Sequence, residues 1–235
     1  MPETFAYYEK IEKEHDNVKV VYWEAGFNYS AINNFGFKFA KGDYIMLLNN
    51  DVELITPDIF QSMLGFCMRP EVGIVGAKLL YNDHTVQHAG VLVGAGGLAD
   101  HVFKGIHEDD PGYMGRAISS QDVSAVTAAC LLVKRSVYEE VGGLEDEFQV
   151  AFNDVDFCLK VRKAGYLIVY NPYAELYHYE SKSRGAEDSP EKTARFQREI
   201  EYMRNHWIGI LKNGDPYYNP NFSSVYNNYS LKDNS

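Results

Sequence analysis

Surplus positive charge, a disulfide framework and a membrane-length apolar run are all missing from this sequence. Its three cysteines, Cys67, Cys130 and Cys158, are scattered among apolar neighbours, and no two form a CxxC pair. An odd count of this kind is not a disulfide scaffold and reads as buried free thiols in a reducing compartment. No apolar stretch reaches the ~18 residues of a membrane span. The longest, Val123–Val133, contains Ser124 and Thr127 and stops at Lys134-Arg135. The opening MPETFAYYEK has no signal-peptide pattern. Lys and Arg number 22 against 33 Asp and Glu, a net charge of −11, which argues against a broad nucleic-acid surface. The glycines of Gln87-His88-Ala89-Gly90 and Gly94-Ala95-Gly96-Gly97 lack the GxGxxG spacing and precede no clear helix, so they are not a dinucleotide loop. His101, His107, Asp109 and Asp110 fit no standard zinc spacing. The expectation is a soluble, cytoplasmic chain, with peripheral contact at a membrane left open.

What remains is globular material: 235 residues, 46% hydrophobic, 23% charged and 14% aromatic. That suits a single domain over residues 1–214 with a polar, turn-rich surface tail over 215–235. Helices are expected at Thr4–Glu14, from a Ser30 cap to Gly42, from Pro57 to Met68, at Arg135–Val141, at Val155–Ala164 and from the Ser189-Pro190 start. Phe196, Ile200, Met203 and Trp207 form the apolar stripe of the last. Strands are expected at Val18–Tyr22, Tyr44–Leu48, Gly73–Tyr81, Val123–Lys134 and Leu167–Tyr170. The unbroken apolar run of Tyr44–Leu48 suits a strand covered on both faces, and strands alternating with helices indicate an α/β fold. Residues 82–122 read as long loops with short strands.

Several polar clusters sit where such a fold binds ligands. Asn49-Asn50-Asp51-Val52-Glu53 follows the Tyr44–Leu48 run, and open α/β sheets take ligands at the carboxyl ends of their strands. In extended chain Asp51 and Glu53 face the same side, where two acidic oxygens can hold a hard divalent cation. The same residues also suit a simple polar turn. In Phe152-Asn153-Asp154-Val155-Asp156, Asn153 or Asp154 is a good helix cap, and one carboxylate among apolar flanks could instead act as a general base. His178 could complete a metal site, and Ser181-Lys182-Ser183-Arg184 adds cations and hydroxyls suited to a diphosphate.

Taken together, FNYSAINNFGFKFAKGDYIMLLNNDVEL, EVGIVGAKLLY, VQHAGVLVG, VSAVTAACLLVKRSVYEEVGGLEDEF, FNDVDFCLKVRKAGY and ELYHYESKSRG resemble the family two glycosyltransferases, especially their rhamnosyltransferase-like branch. The resemblance implies a GT-A, Rossmann-like fold: a mostly parallel sheet flanked by helices. It implies inverting transfer of a sugar from a dTDP- or UDP-sugar, rhamnose in this branch, to a hydroxyl of a carbohydrate or lipid-linked saccharide acceptor in cell-surface polysaccharide assembly, with Mg2+ or Mn2+ as cofactor. The family's DxD-type motif falls on Asn49-Asn50-Asp51, making Asp51 a metal ligand with His178 and Glu53 beside it. Asn49, Asn50, Lys182 and Arg184 become donor contacts. The ED-type motif falls on Asn153-Asp154 and makes Asp154 the base, with Gln87, His88, Asp156 and Thr127 on the acceptor side. Asn49 and Asn153 depart from the family's usual acids. Members of the family open with a strand–helix–strand that has no counterpart here. A truncated sheet, completed by a missing N-terminal segment or by a homo-oligomer, is therefore expected, at the inner face of the plasma membrane. The competing expectation is a non-catalytic carbohydrate-binding or assembly fragment of a larger transferase. A nucleotidyltransferase would need a Lys/Arg-rich phosphate loop near an N-terminal strand, which this sequence does not have.

Overall fold

A computed structural model describes residues 2–179 and 189–232. In chain order the elements are α1 Pro2–Glu14, α2 Tyr29–Phe37, β1 Tyr44–Leu48, β2 Val52–Leu54, α3 Ile59–Cys67, β3 Val72–Leu80, β4 Val86–His88, β5 Val91–Val93, β6 Ala99–His101, β7 Gln121–Asp122, β8 Cys130–Lys134, α4 Arg135–Glu140, α5 Asn153–Lys163, β9 Leu167–His178, α6 Pro190–His206 and α7 Ile208–Asn213. No described helix is long and apolar enough to cross a membrane.

The main sheet runs β1-β8-β3-β9-β2, with β4 on β3 and β7 on β9. β3 and β9 pair in parallel, and β8 is antiparallel to both β1 and β3. β1, β3 and β9 therefore point one way, and their carboxyl ends share one edge of the sheet. The expected α/β class holds, as a mixed sheet in which these three strands share a direction.

Every residue of β3 is buried, as its largely apolar run requires when both faces are covered, and its one charge, Lys78, is paired with Glu175 at 2.9 Å. On one face, Val72, Val75, Ala77 and Leu79 pack with Ile59, Met63 and Cys67 of α3. On the other, Ile74 and Leu80 join Val137 of α4 and Phe157, Cys158 and Val161 of α5. Gly76 lets the two layers approach closely, since a Cβ there would lie 2.4 Å from the Val126 side chain. All three cysteines are buried and free. Burial pushes the thiol pKa of Cys67 up to about 11 and that of Cys130 up to about 12.

Several boundaries differ from expectation. Val18–Tyr22 forms no strand: a strand needs a ladder partner, and this segment pairs with none of the described strands. β1 is half-buried, because it lies at the end of the sheet order rather than inside it. α2 is capped by Asn28, whose side chain accepts the Ala31 N–H at 3.0 Å, two residues before Ser30. Ser30 is buried and donates to the Phe148 carbonyl instead. Only Cys130–Lys134 of the long 123–134 run pairs as a strand, while β9 extends through His178, well past Tyr170. The chain after Gly214 wraps residues 91–124 and inserts into them. Asp215 accepts the Val93 N–H at 2.9 Å and the Ser124 hydroxyl at 2.6 Å, and Tyr229 stacks on Phe103.

Candidate active site

A cleft of about 340 Å³ opens at the sheet edge where β1 and β9 end. Asn49 follows β1, His178 closes β9, Thr127-Ala128-Ala129 lead into β8, and Asn153-Asp154 begin α5. Tyr29 of α2 and Ala99, Asp100 and His101 of β6 complete the walls. The Asn49 N–H donates to the Ala129 carbonyl at 3.0 Å, continuing the β1–β8 ladder into the cleft. The Tyr29 hydroxyl donates to the Ala128 carbonyl at 2.9 Å.

His178 has a fixed tautomer. Its Nδ1 lies 2.7 Å from Gln87 Oε1, which can only accept, so Nδ1 carries the proton. Nε2 then presents a lone pair, 3.3 Å from the Asn49 amide nitrogen and 3.3 Å from Asp51 Oδ1. That carboxylate oxygen is buried and has no hydrogen-bond donor. A carboxylate oxygen and an imidazole nitrogen at this separation suit a shared cation, since adjacent ligands of a divalent cation with bonds of ~2.1–2.2 Å lie ~3 Å apart. The carboxylate–imidazole pair thus fits a cation, and Gln87 is the outer partner that orients the imidazole.

Asp154 lies opposite, half-buried in the first turn of α5. Its Oδ1 accepts the Val155 N–H at 2.8 Å and its Oδ2 the Ala128 N–H at 3.3 Å, which anchor the carboxylate in the cleft wall. The helix cap is neither Asn153 nor Asp154 but Phe152, with a φ of 61° that non-glycine residues rarely adopt.

The other expected residues divide. Thr127 and Asn49 line the cleft with Asp154 and His178. Gln87 and His88 stand behind it as supports. The Thr127 N–H donates to His88 Nε2 at 3.3 Å, so His88 carries its proton on Nδ1 and donates it to His101 Nδ1 at 2.7 Å. Asp156 is withdrawn from the acceptor side. Two residues along a helix turn it about 200° from Asp154, into the core, where it accepts the Trp207 indole N–H at 2.8 Å. Burial raises its pKa, opposed by that hydrogen bond and by Lys160. Glu53 is likewise no metal ligand here. The turn at Asn50-Asp51 breaks the alternation that would align it with Asp51, and its carboxylate accepts the Tyr179 hydroxyl at 2.6 Å. Asn50 is exposed in that turn and does not line the cleft. Lys182 and Arg184 lie outside the described residues. Tyr29, Asp100 and His101 were not expected as a group, because nothing in local spacing announces that the β5–β6 hairpin folds over the sheet edge.

Burial, then the charges of His101 and His178, hold the pKa of His88 well below its usual value. A folded value below the unfolded one means that the unfolded chain binds the extra proton first on acidification. Stability from this group is complete above about pH 6.5 and declines as pH falls below it. The thermal midpoint should therefore drop between about pH 7 and pH 5, with a shallower drop in His88→Asn. Equal slopes would remove His88 from the account.

Comparison with known proteins accords with this geometry. A mannosyltransferase from Pyrobaculum calidifontis, solved with GDP-Man and Mn2+, superposes with a TM-score of 0.57 at 13% identity, covering 90% of this chain and 52% of that one. GalNAc-T7, solved with UDP, GalNAc and Mn2+, gives 0.65 at 13% identity over 89% of this chain and 40% of that one. At such identities the likeness is one of fold, and the fold class is that of GT-A glycosyltransferases. The family can be stated more closely: the model of glycosyltransferase-like family 2 matches residues 2–198, and the chain belongs to that family. An uncharacterized protein of Sinorhizobium fredii is 48% identical over 97% of the chain, and the O-antigen biosynthesis protein RfbC of Myxococcus xanthus 38% identical over 94%. This chain spans 25% and 17% of their respective lengths. The N-acetylglucosaminyl-diphospho-decaprenol L-rhamnosyltransferase of Mycobacterium tuberculosis is 31% identical over 39% of the chain and 30% of its own length.

Proposed function

We propose that this chain is an inverting glycosyltransferase domain that moves a sugar, rhamnose or another hexose, from a UDP- or dTDP-sugar to a hydroxyl of a surface-polysaccharide acceptor. The observation that best supports this is that His178, paired with the donor-starved Asp51 oxygen, and Asp154 face one cleft. Asp154 takes the proton from the acceptor hydroxyl, whose oxygen attacks the anomeric carbon as the bond to the diphosphate breaks. The Ala128 and Val155 amides hold the carboxylate in place for that transfer. Asp51 and His178 would hold a divalent cation, which supplies neutralising charge for the departing diphosphate. An imidazole ligand favours Mn2+ over Mg2+, which prefers an all-oxygen shell. Thr127 and Asn49 line the sugar side. In this reading the reaction runs in the cytoplasm, with a lipid-linked acceptor at the inner membrane face.

The test is release of nucleoside diphosphate from UDP-glucose, UDP-galactose and dTDP-rhamnose, with and without Mn2+. Metal-dependent release from one of them is expected. No release, with retained binding of polysaccharide, would favour a non-catalytic carbohydrate-binding module.

A further inference from the structure

The helix that follows β9 makes three buried or stacked contacts with the segment bearing Asp154, through Phe196, Glu199 and Trp207, none of which lines the cleft itself. Glu199 of α6 is 1% exposed. One of its oxygens accepts the N–H groups of Gln149 and Val150 at 2.8 and 3.0 Å, and the other that of Ala151 at 3.2 Å. Phe196, one turn earlier, stacks on Phe152 at 5.8 Å between ring centroids. Trp207, at the end of the helix, donates to Asp156. These contacts bracket Asp154 on both sides.

The bracketed turn cannot hold its shape alone. Phe152 has a left-handed backbone, which a β-carbon-bearing residue keeps only where its surroundings enforce it. Gln149, Val150 and Ala151 present successive N–H groups that neither α5 nor the sheet accepts. A buried carboxylate costs desolvation unless it is fully hydrogen-bonded, and three amide donors meet that need. The Asn153 side chain ties the same turn from the other side by donating to the Val150 carbonyl at 2.8 Å.

We propose that Glu199 is a positioning residue for the reaction: by gathering the 149–151 amides it fixes the turn from which Asp154 reaches the acceptor hydroxyl. This rests on the assignment of Asp154 as the base. Displacing a catalytic group by about 1 Å can cost about 10²-fold in rate. Glu199→Gln keeps the shape but turns an NH2 group toward the amide donors.

The experiment is a double-mutant cycle on nucleoside diphosphate release from whichever of UDP-glucose, UDP-galactose and dTDP-rhamnose the protein turns over with Mn2+, water or saccharide being the acceptor. Glu199→Gln should lower kcat about 10–100-fold with donor KM held within about twofold. In the Asp154→Asn background the same change should cost almost nothing further, because the group it positions is gone. Asn153→Ala should reproduce the kcat loss, and it carries the test if Glu199→Gln does not fold. Equal losses in both backgrounds, or a rise in KM without a fall in kcat, would overturn the positioning role. Full turnover in Asp154→Asn itself would instead overturn the base assignment.

Discussion

Asp154→Asn is expected to lower turnover by about 10²–10⁴-fold, the usual contribution of a positioned general base. An amide has the volume of the carboxylate and can still accept the Val155 N–H, so the fold should persist. It cannot take a proton from the acceptor hydroxyl. The Ala128 N–H, now facing an amide NH2, loses its partner at a cost of about 1–3 kcal/mol in stability. Binding of UDP or dTDP with Mn2+ should change little, because Asp51 and His178 are untouched. Initial rates and nucleotide titration on the same preparation separate the two effects. Unimpaired release with a normal thermal midpoint would contradict the role given to Asp154.

The second large effect belongs to the cation. Removing an outer partner of a metal ligand commonly costs about 10–100-fold in metal affinity, and removing a ligand itself should cost more. Asp51→Asn and His178→Ala are each expected to weaken Mn2+ binding beyond that range and to abolish metal-dependent turnover. Gln87→Ala, which only frees the imidazole, should fall within it. Asp51→Asn has a further signature. Its amide can turn an NH2 group toward His178 Nε2 in place of a carboxylate oxygen that has no donor, so the apo protein should be no less stable than the wild type. A loss of both metal affinity and apo stability would mean that the carboxylate serves the fold rather than a ligand.

The sheet and the motifs were far more legible in the sequence than the cleft's supports. β3 announces itself through an apolar run interrupted only by Lys78, and α6 through Ser189-Pro190, because each depends on local chemistry. Asp51, Asp154 and His178 were reached through a resemblance spread over many segments, and the structure brings His178 beside Asp51 and, with Asp154, into the walls of the cleft. Glu53 was placed beside Asp51 by extending a strand period through the turn that precedes β2. Asp156, an acceptor contact by resemblance alone, instead turns into the core on α5. Val18–Tyr22 has strand composition without a strand, since pairing depends on a partner that no local propensity supplies. Glu199 lies in a charge-rich stretch whose local sequence gives no sign of burial, and only the tertiary fold brings the 149–151 amides to it.

The central claim is that Asp51 and His178 jointly hold a divalent cation in the cleft that Asp154 lines. Pulsed electron paramagnetic resonance of Mn2+ bound with UDP or dTDP tests it most directly, because an imidazole nitrogen in the coordination shell modulates the electron spin echo. The account predicts nitrogen modulation in the wild type, its loss in His178→Ala and its retention in Asp154→Asn. Tight Mn2+ binding without nitrogen coupling, or coupling that survives His178→Ala, would contradict it.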